Sequence, residues 1–174
     1  MMLVLYIIVG LVFIVTILGF IAPKSYEVSR NIVINKSLPE TFNYLKSLKN
    51  QDNWSPWGER DPNMEKEFKG TDGEVGFISA WKGNKEVGEG EQEIIGLVEN
   101  ELIETQLRFL KPFKSTSNAY IKVDDEQGAT KVTWGFTGKN KFPVSIMMLF
   151  MNMEKAIGKD FEQGLTKLKS LLEK

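Results

Sequence analysis

The sequence predicts an α+β domain: a curved antiparallel sheet of about seven strands wrapped on a long C-terminal helix, preceded by one transmembrane helix. Three observations carry this expectation. From Phe150 on, Met153, Ile157, Phe161, Leu165, Leu168 and Leu172 recur at steps of three or four between charged residues, the spacing of a helix with one apolar face. Upstream, short alternating segments joined by Gly-, Asn- and Asp-containing turns read as an antiparallel meander. Finally, Met1 to Ala22 carries no charged side chain. A rod running from Phe142 to Lys174 cannot bury its stripe on itself, so the strands are expected to wrap it.

The chain has 174 residues, of which 42% are hydrophobic and 26% charged, the composition of one globular domain rather than a disordered segment. A net charge of −1 without a basic block argues against a phosphate-neutralising, nucleic-acid-binding surface. There are no cysteines and no histidines, which excludes zinc, iron–sulfur and thiolate chemistry and any His-based triad. No metal or cofactor is expected.

Taken in order, residues 1–23 form the expected membrane anchor, since about 20 apolar residues cross the bilayer hydrocarbon. No basic n-region precedes the apolar run, and Pro23 follows it, which favours an uncleaved span over a signal peptide. Lys24, Arg30 and Lys36 follow closely, so the positive-inside rule places the domain, 24–174, on the cytoplasmic side. Tyr26 to Asn35 alternates as a strand, and Ser37-Leu-Pro-Glu40 opens a helix, Ser37 capping while Glu40 reaches back. Asn53 to Pro62 is a turn-rich loop that nonetheless holds Trp54 and Trp57. Strands are then expected around Glu65–Lys69, over Val75, Phe77, Ser79 and Trp81, and from Gly88 to Val98. Leu102–Leu110, Ser117–Asp124 and Thr130–Thr137 complete the set.

That order, with these motifs, resembles the polyketide cyclase/START-like superfamily, also called SRPBCC or the Bet v 1-like helix-grip fold. The likeness rests on Val28-Ser-Arg-Asn-Ile-Val-Ile-Asn35 followed by Leu38-Pro-Glu-Thr-Phe42, on Asn53-Trp-Ser-Pro-Trp57, on Trp81-Lys-Gly-Asn84 into Gly88-Glu-Gly90, and on Gly158-Lys-Asp-Phe-Glu-Gln-Gly-Leu165. It covers Tyr26 to the C-terminus. What it implies is a cavity between the concave sheet and the terminal helix, open to a small hydrophobic or amphipathic ligand such as a lipid. It carries over no catalytic signature.

The residues expected to line that cavity are Trp54, Trp57, Phe77, Trp81, Arg108, Tyr120, Trp134, Phe136, Met147, Phe150 and Met151. Met147, Met148, Phe150, Met151 and Met153 suit surfaces that accept varied apolar partners, although plain core packing explains them too. Trp54 and Trp57 read as a lid over the mouth or as a plug of the core. The strand aromatics read as core or lining. Arg108 is a candidate for an anionic head group, against an ordinary solvent-facing role. Glu59, Asp61, Glu74, Glu89, Glu91 and Glu93 are the acid/base candidates, with Glu89, Glu91 and Glu93 alternating as a solvent face would. Binding at a membrane is the expected function. A cyclase or dehydratase using one carboxylate, and a protein-interaction module like the chaperone co-activators, are its alternatives.

Overall fold

Six consecutive strands joined by short turns give each strand its sequence neighbour as its partner, and the first strand closes on the last. The computed structural model describes residues 2–140, 142–149 and 152–174. Its elements are α1 (Met2–Ile21), β1 (Ser25–Ile34), α2 (Leu38–Leu45), α3 (Leu48–Gln51), α4 (Pro56–Arg60), β2 (Glu65–Lys69) and β3 (Ile78–Lys82). They continue with β4 (Glu89–Val98), β5 (Leu102–Lys111), β6 (Ser115–Glu126), β7 (Ala129–Lys139), α5 (Val144–Met148) and α6 (Met153–Leu172). All seven strands form one antiparallel sheet in the order β1-β7-β6-β5-β4-β3-β2, the helix-grip arrangement. Its register slips at Glu89/Gly90 and at Ile94/Gly96 between β4 and β5. Such irregularities bend a sheet, which accounts for glycines inside a strand.

Side-chain alternation sets what each face holds. On the concave face Ile34, Val132, Val123, Ile121 and Ile103 meet Phe42 and Leu45 of α2 and Phe161, Leu165 and Leu168 of α6, all of them buried. Each side chain of this size stabilises by about 1.5–3 kcal/mol on burial. α6 runs along β1, where Arg30 bonds Glu154 and Glu162, each at 2.6 Å. Gly164 lets the helix close in, since a Cβ there would lie 2.9 Å from the Trp134 ring.

The expected C-terminal rod is interrupted. α5 ends at Met148, and α6 begins afresh at Met153. The Asn152 side chain accepts from the Lys155 N–H at 2.8 Å, an N-cap that starts a new helix. α6 alone, at 20 residues, spans about 30 Å rather than the length of the whole apolar run. Asn152→Ala is expected to cost about 1 kcal/mol, lowering Tm by roughly 2–4 °C in thermal denaturation followed by circular dichroism.

Two local expectations also change. The Ser37 hydroxyl bonds the Glu40 carboxylate rather than a backbone N–H, so Ser37's own half of the expected cap is missing. β3 begins at Ile78, so Val75 and Phe77 lie in the turn before it.

One end of the sheet gathers the start of β1, the end of β7, the β5–β6 turn and the β3–β4 turn, as the pairings Ser25↔Lys139, Phe109↔Ser115 and Lys82↔Glu89 require. α1 enters at this end. Ala22 is buried, and the Asn140 N–H donates to the Lys24 carbonyl at 2.8 Å. α1 itself is exposed along most of its length and is long and apolar enough to cross a membrane.

Candidate functional site

The concave face changes character along its length. Toward the end distant from α1 it carries Ile103, Ile121, Val123 and Val132, which fill the space under α6. Toward the α1 end β3, β4 and β6 present Ser79, Gly90, Gln92, Ser117 and Ala119 inward, as the register dictates. Small side chains there leave a gap that the neighbouring aromatics do not close, and a cavity of about 310 Å³ results. That lies at the lower end of the range for small-molecule sites.

Its floor is sheet: Ser79 and Trp81 of β3, Gln92 of β4, Leu107 and Phe109 of β5, Ala119 of β6, and Trp134 and Phe136 of β7. α6 supplies one wall through Ala156, Ile157, Asp160 and Phe161. The remaining side comes from Leu48, Gln51, Asp52, Trp57, Met64 and Lys66. Most of this lining is apolar or aromatic. Trp134 stacks on Phe161 with ring centres 4.1 Å apart, and Trp57 meets both edge-on at 5.6 and 6.1 Å. Such contacts fix ring positions and so the shape of the wall.

The polar lining is sparse and largely committed. Lys66 bonds Asp52 at 2.7 Å, and Arg60 bonds Asp160 at 2.5 Å. Gln92 donates to the Thr105 hydroxyl at 3.1 Å. The segment carrying Trp57 is tied down on both sides of the cavity. Glu59 pairs with Lys167 of α6. Asp61 accepts from the Asn84 N–H of the β3–β4 turn at 2.6 Å, and Asn84 Nδ2 donates to the Arg60 carbonyl at 3.0 Å.

The structure brings Trp57, Trp81, Trp134 and Phe136 of the expected lining together at the cavity. Trp54 lies beneath it as a plug, 1% exposed and edge-on to Trp134 at 4.7 Å. Phe77 belongs to a separate buried cluster with Leu48 and Ile94, stacked on Phe68.

Arg108 and Tyr120 are corrected outright, because period-two alternation turns both to the convex face. Arg108 bonds Glu91 at 2.5 Å and Glu93 at 2.7 Å, bonds that raise its pKa and hold it in its charged form. Tyr120 lies across Gly135, where a Cβ would collide with its ring, and donates to Glu27 at 2.8 Å. Burial and then that bond push its phenol pKa up. Met147 lies in α5, but its side chain, with Phe150 and Met151 entirely, lies outside the described residues.

Glu59 and Asp61, held as above, and Glu89, Glu91 and Glu93 do not line the cavity. Glu89 bonds Lys111 at 2.8 Å. Sequence reasoning missed Asp52, Lys66, Gln92, Leu107, Phe109, Ala119 and Asp160. Ser79 and Ala119, small residues at inward positions of their strands, were the available signal.

A second hollow of about 440 Å³ lies beside the α1–β1 junction, lined by Pro23, Tyr26, Glu27, Asn140, Leu149 and Glu154 among others. It is an open groove whose walls mix Glu27, Asn140, Asn152 and Glu154 with Val28, Met148, Leu149 and Met153. The cavity under α6 is the better enclosed of the two.

No family model and no curated protein matches the chain. Solved structures do. A structural-genomics protein from Chromobacterium violaceum superposes with a TM-score of 0.59 at 13% identity, covering 87% of this chain and 99% of that one. Ara h 8.0201 gives 0.57 at 11%, covering 85% and 97%. Major latex-like protein 151 from Panax ginseng gives 0.61 at 10%, covering 86% and 99%. The fold is the Bet v 1-like helix grip.

Proposed function

We propose that the chain binds a small hydrophobic or amphipathic ligand in the cavity between sheet and α6. In this reading residues 1–23 anchor the domain, 24–174, to a membrane. The observation that carries the reading is the cavity's lining: indole and phenyl rings around small side chains, with few polar groups. Burial is the mechanism. Each CH₂ transferred from water contributes about 0.8 kcal/mol, while a ligand's polar end has Gln92, Ser79 and the Asp52–Lys66 pair within the same lining. The two lining carboxylates, Asp52 and Asp160, are each matched by a cation, which favours binding over acid/base chemistry. Lys24, Arg30 and Lys36 after the apolar segment favour a cytoplasmic domain.

Three of the four tryptophans line the cavity, so binding is readable in intrinsic fluorescence. Titrating the full chain in detergent with a brominated fatty acid is expected to quench that emission saturably, because bromine quenches indole on contact. Emission that falls only in proportion to the quencher in the micelle, without saturation, would sink the proposal.

A further inference from the structure

The two most exposed large apolar side chains among the described residues outside α1 are Phe113, at 82%, and Phe142, at 64%. Scattered surface hydrophobics need no explanation, but these two share the end of the domain where α1 enters. Phe113 occupies the β5–β6 turn, and Phe142 follows β7 and touches the Gly19 position of α1. Only Ala22, Pro23 and Lys24 separate α1 from β1. An extended chain gains at most about 3.6 Å per residue, so this end lies close to wherever α1 leaves the bilayer.

Charge divides along the same axis. The turns and strand ends at the α1 end carry Lys24, Lys85, Lys111, Lys114 and Lys139 against Glu86 and Glu89. Lys111 bonds Glu89, while the other four form no ion pair among the described residues. The turns at the opposite end carry Glu99, Glu101, Asp125 and Glu126 against Lys36, with Glu99 paired to Lys46 at 3.7 Å. In a chain of net charge −1, the turns at the α1 end thus carry an excess of positive charge and those at the opposite end an excess of negative charge.

We infer that the α1 end is itself a docking surface for an anionic bilayer, with Phe113 and Phe142 in the headgroup layer and the lysines against lipid phosphates. The inference rests on reading α1 as a membrane span. Basic side chains near an anionic surface each change the docked-to-undocked ratio by roughly fivefold, and apolar rings among them deepen the contact. Trp81, Phe109 and Phe136 line the cavity from strand positions near this end. Docking therefore sets the cavity close to lipid, and an amphipathic ligand exchanges between the two with little exposure to water.

The chain has no cysteine, so single labels are unambiguous. Phe113→Cys, Asp125→Cys and Val9→Cys, each made in the full chain and labelled with nitrobenzoxadiazole, are reconstituted into phosphatidylcholine vesicles with and without phosphatidylglycerol. The vesicles carry doxyl-labelled lipid as the quencher. Position 113 is expected to be quenched severalfold more than position 125 in the anionic vesicles, and much less once Lys111→Glu and Lys114→Glu are added. Quenching at 9 with none at 113 would leave the span standing and remove the docking surface. No quenching at 9 overturns both. Quenching at 113 that ignores both the anionic lipid and the lysine reversals would overturn the electrostatic contact.

Discussion

Ala119→Phe is expected to weaken binding of the proposed ligand severely and to leave the domain folded. Ala119 is buried on the cavity floor, facing α6 from β6. A phenyl group added at its Cβ enters a space of about 310 Å³ that the wild-type side chains leave unfilled. Filling a void commonly adds about 0.5–2 kcal/mol of stability, whereas a ligand loses both room and contact surface. The expected loss of affinity is roughly 100-fold, about 2.7 kcal/mol, with Tm unchanged or raised. Titration of the variant with the brominated fatty acid, alongside its thermal melt, checks both halves. Unchanged affinity would place any ligand elsewhere, and a collapse of Tm would mean that the gap is not available space.

Trp134→Ala produces the largest loss of stability. Trp134 is 3% exposed and lies between Trp54, Trp57 and Phe161, with ring centres at 4.7, 5.6 and 4.1 Å. It is therefore the point where the plug, the cavity rim, the sheet and α6 meet. Truncating a buried tryptophan costs about 3–5 kcal/mol, which corresponds to a Tm drop of roughly 6–20 °C for a chain of this size. Trp134→Phe keeps a ring to stack on Phe161 and is expected to recover much of the loss. Calorimetry of both variants decides the matter. A drop of under 2 °C for the alanine variant would show that the aromatic cluster does not hold α6 to the sheet.

The strand order was legible because alternation and turn residues are local signals. Asp72-Gly73, Gly83-Asn84 and the turn before Ala129 all fall where the chain reverses. The face of each strand was harder. Arg108, with a solvent-facing role as its alternative, and Tyr120 stand among the expected lining, yet each sits one residue out of phase with the inward Leu107 and Ala119. A one-residue shift flips a side chain across the sheet.

The break in the terminal helix was hidden for a related reason. Apolar spacing continues from α5 toward α6, and only the cap at Asn152 marks a new start. The cavity itself was legible as an outline but not in its lining. A hollow arises where side chains are small, and Ser79, Gln92 and Ala119 draw less attention than the tryptophans around them. The ion pairs Asp52–Lys66 and Arg60–Asp160 join residues distant in sequence, so no local pattern announces them.

The most direct test is native mass spectrometry of the full chain extracted in detergent from its own host's membranes. A small amphipathic mass bound one-to-one, released on collisional activation and missing from Ala119→Phe, is the predicted result. A bare polypeptide mass for both proteins, with no saturable quenching by the brominated fatty acid, would contradict it.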